Sequence, residues 1–396
     1  MIPYGRQSIS SADIDAVVEV LKSAWLTQGP AVQRFEQSVA SYCGAASAVA
    51  VNSATSALHI ACLAADLGPG DTLWTSPNTF VASANCGRYC GADVDFVDID
   101  PATRNMSVER LREKLELAAR EGKLPKVVIP VHFAGQPCDM EAIANLASRY
   151  GFTVIEDASH AIGGRYRGEP VGNCRYSDMT VFSFHPVKII TSAEGGMVLT
   201  NSDKLAARLS RLRSHGITSD PALMSEPSHG PWYYQQIELG FNYRMTDLQA
   251  ALGASQMAML DQFVARRHQL AKRYDQALAH LPPSLPWQHP DSFSAYHLYT
   301  VRLQQGDGLP GRKEVLEQMR ERGIMAHVHY IPVHTQPYYR ALGFAPGDFP
   351  EAESYYREAL TLPLYQGMLE EDQDFVISTL QELLLGKPTP AGGRHE

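Results

Sequence analysis

The sequence predicts an α/β protein, with a large domain built on a mainly parallel sheet and a smaller α+β domain after it. Three observations carry that expectation. The chain has 396 residues, too many for one small core, which fits two domains or one large domain with an appendage. Over its first two thirds, short β-branched runs that are apolar along their whole length alternate with helical patterns, as in sheets covered by helices on both faces. From Met245 the alternation stops, and a proline-free stretch reads as one long helix to about His280, of the kind that leads from one domain into the next.

The elements follow in order. Ile14, Val17, Val18 and Leu21 recur at helical spacing behind the N-cap candidates Ser10 and Ser11. A strand at Ala48–Val51 leads into a helix from about Ser56, which Gly68-Pro69 stops. Further strands are expected at Thr72–Thr75, Val94–Val97, Val127–Val131, Thr153–Glu156, Thr180–Phe184 and Met197–Thr200, with helical patterns such as Met140–Tyr150 between them. After Pro282-Pro283 come a strand near His297–Leu303, a helix near Lys313–Arg322, and final helices near Pro350–Leu360 and Glu371–Leu385. The expected division is a large domain over 1–260, a small one over 261–385, and a Gly/Pro-rich tail over 386–396 that reads as disordered.

Composition narrows the class. Apolar residues make up 44% and charged residues 19%, with a formal net charge of -9 and no Lys/Arg run. That argues against a nucleic-acid partner and requires any anionic ligand to be held locally, by aimed N–H groups and one or two cations. The six cysteines form no C-x-x-C pair, and nothing near Cys86 and Cys90 completes a zinc set, so reduced buried thiols and no metal are expected. The N-terminus lacks the basic and apolar regions of a signal peptide, and no apolar stretch reaches the roughly 20 residues a membrane span needs. The expectation is a soluble, cytoplasmic protein.

Three segments, each at the end of an expected strand, carry chemistry; ligands collect at the carboxyl ends of strands in open α/β sheets. In Asn52-Ser53-Ala54-Thr55-Ser56, small residues sit where a strand turns into a helix. Small side chains let an anion reach the backbone, and a helix start attracts phosphate, although Ser and Thr there are also ordinary caps. In Val154-Ile155-Glu156-Asp157-Ala158-Ser159-His160 an apolar strand ends in an acid. Such an acid either caps the next helix or holds a basic ring nitrogen protonated. In Ser183-Phe184-His185-Pro186-Val187-Lys188, a lysine stands in an apolar loop just before Gly195-Gly196 and 31 residues after Asp157. A lysine shielded from water loses its proton more readily and can attack a carbonyl.

Together these segments resemble fold-type I enzymes that use pyridoxal 5′-phosphate (PLP), and specifically the DegT/DnrJ/EryC1/StrS sugar aminotransferase family. The motifs NSATSAL, EDASHAIGG, FSFHPVK, AEGG and LGFNYRMTDLQAALG follow in family order over almost the whole chain. The resemblance implies that Lys188 holds PLP and shuttles the proton, that Asp157 pairs with the ring nitrogen, and that His160 sits beside the ring. It also implies that Ser183, Ala54 and Thr55 contact the phosphate and that Phe80 stacks on the ring. Asn242 would reach the phosphate from a neighbouring subunit, making a homodimer with shared sites.

Within the family the likeness is strongest to enzymes that aminate C4 of the sugar in pseudaminic acid biosynthesis. That match implies a UDP-linked 4-keto-6-deoxy-N-acetylhexosamine as substrate and L-glutamate as donor. Tyr4, Ala24, Trp25, Leu26 and Thr27, together with His327, Val328, His329 and Tyr330, would line the sugar-nucleotide site, alongside Ala54, Ser183 and Asn242. The Pro/Ser-rich stretch Thr218–Gln236 reads either as a loop at that site or as a surface insertion. Amination of another 3- or 4-keto sugar stays open, as does a PLP-binding sensor without turnover. Sugar dehydration is disfavoured, because the relatives that dehydrate carry histidine in place of the lysine.

Overall fold

The structure is a computed structural model that describes residues 1–281, 284–303 and 310–385. The tail expected to be disordered, and Pro282-Pro283, lie outside the described residues.

Seven strands form one sheet: β1 (Ser47–Val51), β2 (Thr72–Thr75), β3 (Asp93–Phe96), β4 (Val127–Ile129), β5 (Thr153–Asp157), β6 (Met179–Ser183) and β7 (Gly196–Thr200). Their spatial order is 1-7-6-5-4-2-3. Pairs from β6 to β3 are parallel, and β7 runs antiparallel to both of its neighbours. Alternate residues serve opposite faces, which is why the inner strands read as largely apolar, while the edge strand β3 alternates Asp93 and Asp95 with the buried Val94 and Phe96. Val127 and Ile129 of β4 join one core, while Val128 between them joins another.

Helices cover both faces. The first core includes α3 (Ala54–Ala64), α4 (Ala82–Tyr89) and α7 (Asp203–Leu212). On the opposite side, α5 (Val108–Glu121) and α6 (Met140–Tyr150) pack over Val128 and Val154. Beside them, α2 (Pro30–Cys43) and α8 (Asp247–Met257) pack over Ala50, Phe182, Met197 and Leu199.

The N-terminal helix α1 (Ser11–Lys22) opens with a capping box. Asp13 N–H donates to Ser10 Oγ at 3.2 Å, and the Ser10 N–H donates to Asp13 Oδ2 at 2.8 Å. Its orientation is not the one an apolar stripe dictates. Asp13 and Val20 are buried, whereas Ile14 and Leu21 stay 56% and 57% exposed. The cause is a polar seam, in which Gln256 Nε2 of α8 donates to Asp13 Oδ2 at 2.7 Å and turns that face inward.

The long helix expected from Met245 to His280 is two helices, α8 and α9 (Leu260–Leu278). Ala258 and Met259 bond three residues back, to Ser255 and Gln256, so the turn tightens there and restarts without any Gly or Pro. The start of α9 packs in the large core through Leu260, Phe263 and Val264. Its second half packs in a separate core with β8 (Tyr299–Arg302), α10 (Arg312–Glu321), β9 (Ala359–Leu362) and α12 (Glu370–Leu385).

Helix α11 (Pro350–Glu358) stops short of the Leu360 that its pattern predicts, because the chain extends there into β9, which pairs antiparallel with β8. Ile2-Pro3 at the N-terminus pairs with Ile324-Met325 and places Ile2 in this second core. Among the described residues, no helix is long and apolar enough to cross a membrane.

Candidate active site

Strands β1, β5 and β6 end along one edge of the sheet, where β7 begins. Gly196 is the register partner of both Val51 and Ser183, and Asp157 is the partner of Val181. The three chemical segments are thereby brought to one place.

Helix α3 starts directly above Gly196. Ser53 caps it, its Oγ accepting the Ser56 N–H at 3.1 Å, and Ser56 Oγ donates to Asn52 Oδ1 at 2.7 Å. The N–H groups of Ala54 and Thr55 open the helix and have no intrahelical acceptor. A Cβ on Gly196 would stand 2.5 Å from Ser53 C, Ser53 O and Ala54 N, so only glycine admits the helix start this close to Ser183. The result is a dipole-backed anion cradle.

Asp157 is buried at the end of β5. Its Oδ2 accepts Ser83 Oγ at 2.6 Å, and its Oδ1 accepts the Ser159 N–H at 3.1 Å. Because Ser83 donates to the carboxylate, its oxygen takes the Thr79 hydroxyl, 2.8 Å away. Lys188 stands in the loop between β6 and β7, anchored by its N–H to His185 O at 2.9 Å. Burial pushes its amine down to about 8, with the negative charge of Asp157 opposing the shift.

A ring of aromatic and imidazole groups closes the site. His160 Nδ1 lies 3.3 Å from the Ala134 N–H, and its Nε2 lies 3.1 Å from Tyr330 Oη. The two rings stack with centroids 6.1 Å apart. His297 packs behind, its centroid 4.4 Å from that of His160. Burial, then the positive charge of Lys188, keeps His160 well below the usual histidine range. Tyr4 contacts the rings of His327 and His329 at 5.4 and 5.3 Å, and His329 Nδ1 lies 2.9 Å from Thr361 Oγ1 of β9. Burial and the neighbouring His327 push His329 down to about 3. Phe80 is 58% exposed, 6.4 Å from Tyr330, and so presents a face to the site rather than packing in the core.

Other sequence-derived candidates lie elsewhere in this chain. Residues 24–28 are exposed and border α8, where Leu26 O accepts the Asp247 N–H at 3.0 Å and Thr27 bridges Thr246. Trp25 lines a hollow of about 460 Å³ with Val20, Ala31, Arg34 and Asp247, which shares no residue with the Lys188 cluster. Asn242 is exposed beside Ser214. The Thr218–Gln236 stretch forms a short hairpin whose Ile217-Thr218 pairs with Gln235-Gln236, and its Trp232 and Tyr234 are exposed.

Three groups at the site were not read from the sequence. Ser83 and His297 carry no local signal, since their roles depend on partners far along the chain. Arg267 is fully buried and donates to Tyr296 O, His297 O, Leu364 O and Gln366 Oε1 at 2.9–3.2 Å, with no carboxylate partner among the described residues. Its position on α9 looks like any other helical arginine in the sequence.

The donor set fits a flat ring that bears an aldehyde, a phosphate and a basic nitrogen. A buried carboxylate held by two donors suits the nitrogen, a lysine of lowered basicity suits the aldehyde, and a glycine-floored helix start suits the phosphate. Fold and site together define a PLP-dependent sugar aminotransferase of fold type I. The chain belongs to the DegT/DnrJ/EryC1/StrS aminotransferase family, whose model matches residues 7–381.

The chain is 40% identical over 388 residues to the spore coat polysaccharide biosynthesis protein SpsC of Bacillus subtilis, covering 97% of each chain. Among solved structures it is similar to Helicobacter pylori PseC, an aminotransferase involved in the biosynthesis of pseudaminic acid. That match has a TM-score of 0.88 and 29% identity, and covers 98% of this chain and 100% of that one. Spr1654 of Streptococcus pneumoniae in its PLP form matches with a TM-score of 0.85 and 28% identity, over 96% of this chain and 98% of that one.

Proposed function

We propose that the enzyme transfers the amino group of L-glutamate to C4 of UDP-2-acetamido-2,6-dideoxy-β-L-arabino-hex-4-ulose, giving UDP-4-amino-4,6-dideoxy-N-acetyl-β-L-altrosamine. The observation that carries the reading is the wall of Tyr4, His327, His329 and Tyr330, near enough to Lys188 for its charge to act on His329, a polar and aromatic surface suited to a sugar. The likeness to PseC supports the pathway.

Lys188 is the catalytic residue. Its amine, lowered by burial to about 8, would hold the cofactor through its aldehyde carbon and, when free, would take the proton from the donor's α-carbon and later deliver one to sugar C4. When bound, PLP would supply an electron sink that makes the carbon–hydrogen bond beside the donor's amino nitrogen acidic. Asp157, oriented by Ser83 and Ser159, keeps the ring nitrogen protonated. Ala54, Thr55 and Ser183 hold the phosphate, Phe80 and His160 flank the ring, and Asn242 completes the site from a second subunit. Val328 extends the nucleotide side of the site, and Ala24, Trp25, Leu26 and Thr27, which lie apart from Lys188 within one chain, would join it across the subunit interface, as Asn242 does.

The dimer reading is supported by Ile14 and Leu21, which leave one side of α1 apolar and exposed. We also take the enzyme to be cytoplasmic, with a large unit over 1–260 and a smaller one over 261–385.

SpsC, at 40% identity, is named for spore coat polysaccharide, which favours a second reading in which another nucleotide-linked keto sugar is aminated. The test is an absorbance spectrum of the PLP-loaded enzyme. L-Glutamate should abolish the yellow band, and the correct UDP-4-keto sugar should restore it, with product NMR fixing the aminated carbon. A band indifferent to every amino donor would sink the reading, and restoration by a 3-keto sugar alone would move amination to C3.

A further inference from the structure

The hydrogen bonds around His160 have a direction that the backbone fixes. The Ala134 N–H can only donate, so His160 Nδ1 must accept it. Buried, and facing the positive charge of Lys188, His160 stays neutral and therefore carries its one proton on Nε2. That proton points at Tyr330 Oη, 3.1 Å away, so the phenol oxygen accepts. Tyr330, raised well above the ordinary phenol range first by burial, keeps its own hydrogen. Among the described residues that hydrogen has no other acceptor, and it is left for a ligand.

The arrangement cannot be reversed by turning a side chain. Ala134 sits at φ +59° and Gly135 at φ +104°, both in the left-handed region. A Cβ on Gly135 would meet Tyr296 N at 2.8 Å and both His160 O and His297 N at 3.0 Å, so the loop is clamped against two other segments. The Leu298 N–H, donating to Ala134 O at 3.2 Å, locks it further.

We propose that Tyr330 is a catalytic residue of the sugar half-reaction: it donates its hydroxyl hydrogen to the keto oxygen of the substrate, with its polarity set by the Ala134–His160 pair. This rests on the keto-sugar reading above. As the carbonyl carbon gains nitrogen, its oxygen gathers negative charge and leaves as water with two hydrogens that the attacking amine nitrogen gives up. No oxidant or reductant is needed. Tyr330 stabilises the developing charge, relays one of those hydrogens and ends unchanged.

Two measurements test it. In ¹⁵N-histidine NMR of the holoenzyme at neutral pH, with the signal assigned through a His160→Gln variant, Nε2 should be protonated and Nδ1 bare. The opposite tautomer, or an imidazolium, overturns the polarity argument. In single-turnover kinetics, Tyr330→Phe should slow amination of the keto sugar about 10–100-fold more than it slows the glutamate half-reaction. Equal slowing of both halves, or none, overturns the role. A wild-type enzyme that accepts no keto sugar would sink the substrate reading and this inference together, whereas an unselective Tyr330→Phe loss in an active enzyme sinks this inference alone.

Discussion

Gly196→Ala tests how closely the anion cradle is built. The new Cβ would stand 2.5 Å from Ser53 C, Ser53 O and Ala54 N, where ordinary contact begins near 3.4 Å. All three atoms are backbone, so no rotamer relieves the overlap. Gly196 is also paired to Val51 on one side and Ser183 on the other, which stops β7 from sliding away. The start of α3 must therefore lift by roughly 1 Å, as overpacking of a tight site does, at about 1–3 kcal/mol of stability. The same displacement takes the Ala54 and Thr55 N–H groups from about 2.9 Å out of bonding range of a phosphate oxygen. Losing two charge-assisted bonds is worth about 3 kcal/mol, roughly a hundredfold in affinity. The assay is PLP titration of the apoenzyme, followed by absorbance, beside a urea unfolding curve. Gly311→Ala, which meets nothing within 4 Å, is the control and should match wild type. A Gly196→Ala enzyme that binds PLP within about twofold of wild type would refute the cradle.

Other outcomes follow from the same geometry. Lys188→Ala should lose at least about 10²–10⁴-fold in turnover and the glutamate-dependent spectral change; retention of most activity would move the catalytic role elsewhere. Ser83→Ala removes a 2.6 Å bond to Asp157 and should weaken PLP binding roughly tenfold, checked by the same titration. Burial lowers the Lys188 amine to about 8, below its unfolded value, so between those two values the unfolded chain binds more protons and stability rises with pH. The apoenzyme should thus close its stability gap to Lys188→Met as pH climbs through 8 towards 10.5, and a gap independent of pH in thermal unfolding would contradict the shift. Arg267→Met bares three carbonyls and Gln366, and should cost about 3 kcal/mol or more in urea unfolding. Ile14→Glu with Leu21→Glu should shift sedimentation from dimer towards monomer.

Much of the scaffold and the chemical centre was legible from local pattern. A strand buried on both faces must be largely apolar, so the inner sheet strands announced themselves within a residue or two, and the edge strand β3, Asp93-Val94-Asp95-Phe96, did so through its two buried apolar positions. Asp157 and Lys188 stood out because an acid closing an apolar strand and a lysine in an apolar loop before two glycines are locally anomalous. Element boundaries that answer to distant partners were not legible. The break at Ala258–Met259 has no Gly or Pro to mark it, and β9 is a strand only because β8 lies across from it. The apolar stripe of α1 pointed the wrong way because Gln256, on α8, holds Asp13.

The sequence by itself determined the sheet, its helical cover and the identity of the lysine, acid and helix-start residues. Each of these follows from the chemistry of a few adjacent positions. Only the tertiary structure decided what surrounds them. Ser83 reaches Asp157 across 74 residues, and Tyr330 reaches His160 across 170. The direction of the second bond depends on a backbone N–H at Ala134 that belongs to neither. Burial and hydrogen-bond polarity are set by whatever lies across space, and that is fixed only when the chain has closed on itself.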